Sequence, residues 1–132
     1  MIPIYRAKKL DSDEYVKGFL YQDLICYIPS DGFKPDEYKK AVDTETWFIM
    51  DNLSNTSMID TTTLSIHFPD MLDSQGNKIF ASLQEDGKGG DIILEPYLET
   101  ERETVLSYEN YIKNINKRHH TALYSKIIGI QQ

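Results

Sequence analysis

The chain has 132 residues, 40% of them hydrophobic and 11% aromatic, which places it in the globular class and fits a single domain over 1–132. Its 21 acidic residues against 14 basic ones give a formal charge of −7, which opposes nonspecific attraction to phosphate backbones and anionic lipid. One cysteine excludes an intrachain disulfide or a thiolate-rich metal site, and no apolar run is long enough to cross a bilayer.

Residues 2–7 and 15–21 are rich in aromatic and β-branched side chains and flank the turn-forming Asp11-Ser12-Asp13-Glu14, which predicts a β-hairpin. Residues 23–28 extend the sheet to Pro29-Ser30-Asp31-Gly32. They carry Cys26 at a buried strand position, where an unactivated thiol packs as a small apolar group. Pro35, followed by Asp36, Glu37, Tyr38 and Lys39, fits the first turn of a short helix or else a loop. Residues 46–50 have bulky groups on both faces, which predicts a central strand with Trp47 anchoring the core.

Residues 51–56 read as a turn, and 57–60 and 63–68 as strand segments that Pro69 ends, because proline has no ladder donor. Asp73-Ser74-Gln75-Gly76 supplies the next reversal, with Gly76 suited to positive φ, and 78–82 then pairs with 91–95 around an intervening loop. The period changes after Thr100. Val105, Tyr108, Ile112 and Ile115 recur at helical spacing, and Thr100 with Glu103 fits a capping box, so a helix is predicted over about 100–117. Residues 122–130 return to β character. The predicted fold is therefore mainly β (α+β): an antiparallel β-barrel-like or two-sheet domain with that one helix packed on it.

Ile59, Asp60, Thr63 and Leu64, then Asp73, Gly76, Lys78, Ile79 and Phe80, and finally Gly90-Asp91-Ile92-Ile93 together resemble the signature of the YopX family. Ile4-Tyr5-Arg6-Ala7 and Tyr15-Val16-Lys17-Gly18-Phe19 are similar to that family's first hairpin, and Lys126-Ile127-Ile128-Gly129-Ile130 to its last strand. His67-Phe68-Pro69-Asp70 departs from the pattern, and 81–89 is an insertion relative to it. The resemblance implies a β-barrel-like architecture and a bacteriophage or prophage setting, and it assigns no molecular role.

Several residues invite a chemical reading. His67 with Asp70 and Asp73 offers an imidazole and two carboxylates to a divalent ion, although strand alternation turns His67 away and turn aspartates bond their own backbone. Glu85-Asp86-Gly87-Lys88-Gly89-Gly90-Asp91 has glycines and a lysine but not the P-loop order, so it reads as a mobile hairpin loop and a place for a partner to bind. His119-His120 lacks a second pair at ligand spacing, and with Lys113, Lys117 and Arg118 it reads as a basic helix end complementing the dipole. Cys26 has no basic neighbour in sequence, and no serine sits in a nucleophile elbow. Tyr97, Tyr108, Tyr111 and Tyr124 suit either a core rim or an interface.

These observations favour a noncatalytic accessory protein that binds a host or phage protein or assembles with itself, with no catalytic, cofactor-binding or metal-binding residue assigned. A metal-dependent enzyme acting on nucleotides or nucleic acid through His67 and Asp73 is the second reading. An acidic decoy for a host nucleic-acid-binding protein is the third. Nucleic acid and membrane are not expected as partners. With no secretory leader pattern at the N-terminus, the expected location is the bacterial cytoplasm.

Overall fold

The computed structural model describes residues 3–24, 45–109 and 121–132. They form two antiparallel sheets. The first contains β1 (Ile4–Lys8), β2 (Tyr15–Leu24), β3 (Glu45–Met50), β4 (Thr56–Met58), β5 (Ser65–His67) and β6 (Ala81–Ser82), in the order β4-β3-β2-β1-β5-β6. The second contains β7 (Asp91–Tyr97), β8 (Thr100–Val105) and β9 (Lys126–Ile130), in the order β8-β7-β9.

The predicted first hairpin forms, with Arg6 opposite Lys17 and Ala7 opposite Val16. Strand alternation then sorts β2 by face. Val16 and Leu20 turn inward to a cluster with Ala7, Ile49 and Ile59, while Lys17, Phe19 and Tyr21 fall on the other face. A second cluster joins Met71, Ile79 and Ala81 to Ile93, Leu106 and Ala122, and so ties the two sheets together. Near β4 the chain bends back toward β1: Leu10 N–H donates to the Met58 carbonyl and Asp60 N–H to the Lys8 carbonyl, both at 2.9 Å. This contact does not close a barrel, so of the two architectures predicted the two-sheet one is present.

Three expectations are corrected. The helix over 100–117 is not seen: residues 100–105 are β8, paired along their length with β7 from Ile92↔Val105 to Tyr97↔Thr100. Leu106 and Ser107 are not helical, helical backbone appears at Tyr108 and Glu109 and, past the predicted end, at Thr121 and Ala122, and 110–117 lie outside the described residues. Trp47 does not anchor the core, since it is 37% exposed and its neighbour Ile49 is fully buried instead. Residues 78–82 do not pair with 91–95; β6 pairs with β5, and β7 with β8 and β9. Cys26, Pro35, Tyr111 and the basic group Lys113, Lys117, Arg118, His119 and His120 also lie outside the described residues.

Candidate functional site

Asp91 opens β7 where the two sheets meet. Its backbone N–H donates to the Phe80 carbonyl (2.9 Å), its carbonyl accepts from Leu106 N–H (3.0 Å), and its Oδ2 accepts from Phe80 N–H (2.7 Å). Arg6 reaches across from β1, placing Nη2 2.9 Å from Asp91 Oδ1 while the same nitrogen donates to the Gly89 carbonyl at 2.8 Å. Both side chains are almost wholly buried, at 6% and 1% exposure. Burial raises the Asp91 pKa above its ordinary value, against the opposing pull of Arg6 and of the Phe80 N–H.

Phe80 lies fully buried beneath this pair. The Arg6 guanidinium carbon stands 4.5 Å from its ring centroid and Lys17 Nζ 5.3 Å, so two cations approach one aromatic ring. The His67 ring tilts against the same phenylalanine at 5.6 Å. Two concavities flank Lys17 and Lys78. One, of about 390 Å³, takes in Arg6, Asn77, Asp91, Ile127 and Ile130. The other, of about 420 Å³, takes in Ile4, Phe19 and Asn52.

Arg6, Lys17 and Lys78 face one carboxylate, Asp91, so this groove carries excess positive charge in a chain whose sum is −7. Lys17 and Lys78 are exposed, and among the described residues neither forms an ion pair. Arg6 Nε is buried without a hydrogen-bond acceptor. Apolar side chains line both concavities beside these lysines, Ile4 with Phe19 in one and Ile127 with Ile130 in the other. A larger concavity of about 750 Å³ lies by the β1–β2 turn, but there Lys9 is already held by Glu14 at 3.0 Å.

The proposed metal-binding trio does not converge. His67 Nδ1 is committed to the Ile79 carbonyl at 2.9 Å, and burial, its largest influence, lowers its pKa. Asp73 Oδ1 accepts from the N–H groups of Gln75 (2.9 Å) and Asn77 (2.8 Å), and Oδ2 from Asn77 Nδ2 (3.2 Å). Burial acts to raise the Asp73 pKa, and the bonds from Asn77, Gln75 and Ile127 together hold it below its ordinary value. Asp70 sits exposed in a turn at φ +69°. Among the described residues, no three His, Cys, Asp or Glu side chains group as a metal site would require.

The loop expected to be mobile is pinned. Ser82 Oγ donates to the Lys88 carbonyl at 2.7 Å, Gly89 N–H to the Gln131 carbonyl at 2.8 Å, and Lys88 N–H to Asp86 Oδ1 at 3.0 Å. Gly89, at φ +83°, passes so close to the Thr63 carbonyl that a Cβ has no room. This backbone presents its Gly89 carbonyl to Arg6, so the Gly90-Asp91 motif is structural rather than a phosphate cradle. Tyr97, Tyr108 and Tyr124 are 46%, 40% and 63% exposed, with Tyr108 stacked on Phe68, so their rings are accessible at the surface, as a core rim and an interface both require.

The groove lysines were missed as site residues because each occurs singly in sequence. The available signal was the alternation of Tyr15, Lys17, Phe19 and Tyr21, a cation set among aromatics on one face of a strand. No helix of the described residues is long and apolar enough to cross a membrane. No family model, curated protein or solved structure matches the chain.

Proposed function

We propose that the chain is a noncatalytic binding module whose groove takes an acidic, partly apolar peptide segment of a protein partner. The observation that carries this reading is the pair of exposed lysines, Lys17 and Lys78, that form no ion pair among the described residues and stand beside apolar side chains in both concavities. Charge there steers and orients an acidic segment, while Phe19, which is 50% exposed, and Ile127 gain from burying its apolar side chains. Catalysis is not part of the proposal, because Asp91, His67 and Asp73 are each engaged in internal bonds. The YopX-like sequence features support a phage or prophage setting for such a module.

The test is fluorescence anisotropy with a labelled peptide of alternating Glu and Leu, run beside a labelled single-stranded oligonucleotide. The peptide should bind, less tightly as salt rises. K17E and K78E should each weaken it roughly fivefold to tenfold, about 1 to 1.4 kcal/mol. Preference for the oligonucleotide, or peptide affinity unchanged in both variants, would overturn the proposal.

A further inference from the structure

The β7–β8 hairpin ends in a two-residue reversal, Leu98-Glu99, between the paired Tyr97 and Thr100. Leu98 stands at φ +56°, a conformation that favours glycine or asparagine and is costly for a leucine. It is also 88% exposed, beside a half-exposed Tyr97. A leucine that is both strained and in water gains little from burial within its own chain. Glu99, Glu101 and Glu103 lie on the same tip and on β8, the outer strand of the second sheet, all exposed. Arg102, the one cation there among the described residues, folds back over the Tyr97 ring (4.3 Å) and onto Glu95 (2.9 Å).

This tip is acidic with an apolar point, and the groove is cationic with apolar side chains beside its lysines. The two cannot meet within one chain. Asp91 marks the groove and Tyr97 the tip at opposite ends of β7, about 20 Å apart at ~3.4 Å per residue, and β7 is bonded to strands on both sides.

Resting on the groove reading above, we infer that the acidic segment the groove takes is the hairpin tip of a second copy of this chain. Leu98 packs against the apolar side chains of the groove, and the glutamates of β8 meet Lys17 and Lys78. Tip and groove are different surfaces, so a single contact leaves one tip and one groove free, and these either pair reciprocally in a twofold dimer or take further copies head-to-tail.

The experiment uses two neutralised chains, K17Q/K78Q without a working groove and L98N/E101Q/E103Q without a working tip. All five changes are at exposed positions, and unchanged urea midpoints or better would show that both chains fold. In analytical ultracentrifugation the wild type should grow in mass with concentration and shrink with salt. Each variant alone should stay monomeric. Their mixture should give a species of twice the monomer mass and no larger, since only one productive contact remains. A wild type monomeric at every concentration, or a mixture that does not associate, would overturn the inference. Peptide binding measured on the same samples separates this failure from failure of the groove reading: peptide bound by a monomeric wild type leaves the groove and removes only the second copy.

Discussion

His67 is a polar side chain placed against Phe80 with one ring nitrogen satisfied by the Ile79 carbonyl. Burial lowers its pKa below the ordinary 6.5, with Lys78 acting in the same direction and the Ile79 bond, Asp91 and Asp70 opposing. Above pH 6.5 the ring is neutral whether the chain is folded or not, and its contribution is complete. As pH falls below that value the unfolded chain takes up the proton first, so stability is lost down through the folded value. We expect the stability difference between wild type and H67N to be flat above pH 6.5 and to shrink below it, read from urea midpoints at each pH. A difference independent of pH would show that the ring titrates normally. At this scale the sequence was informative where backbone chemistry dominates: Gly76 does adopt positive φ, at +81°. It was uninformative about Trp47, which shares a strand face with the buried Ile49 but stands one pair further along, opposite Gln22, beyond the core cluster of Ala7, Val16, Ile49 and Ile59.

The hairpin of β7 and β8 shows why one element was misread. Residues 105–115 do carry helical spacing, and Thr100 with Glu103 does match a capping box, but Thr100 Oγ1 instead donates to the Glu101 carbonyl. What decides the outcome is pairing with Ile92–Tyr97 across a turn containing none of the usual turn residues, so composition could not announce it. Thr100, Thr104 and Val105 are the β-branched residues that hinted at a strand. The same turn yields a prediction. L98N relieves the left-handed strain and should raise stability at low protein concentration by roughly 0.5 to 1 kcal/mol, read as a higher urea midpoint. It should also weaken association, a gain in stability set against a loss of binding. A lower midpoint in L98N would mean that Leu98 stabilises its own chain.

The whole molecule depends on the seam where Arg6 of one sheet meets Asp91 of the other. The sequence showed that two sheets were possible and where the first hairpin lay. It could not show that β6 turns to β5 while β7 turns to β8 and β9, because that choice rests on long-range contacts among Phe80, Asp91 and Leu106. Removing one partner of a buried pair leaves the other charged and unmatched, so R6M should cost about 3 to 5 kcal/mol. R6M/D91N removes both charges while keeping a side-chain oxygen for the Phe80 N–H, and should recover most of that loss. Denaturation followed by fluorescence of Trp47, the single tryptophan, and by far-ultraviolet circular dichroism should give one coincident transition in the wild type. Separate transitions would mean that the sheets unfold independently.

Strand β2 spans ten residues, paired with β1 at one end and β3 at the other, and it holds Lys17 and Phe19 opposite Val16 and Leu20. Sliding it by a single position would exchange those two sets, sending a lysine into oil and leaving a valine in water. Misaligned chains therefore lack the cleft, and a ligand that bound it would draw the population toward correct alignment by mass action.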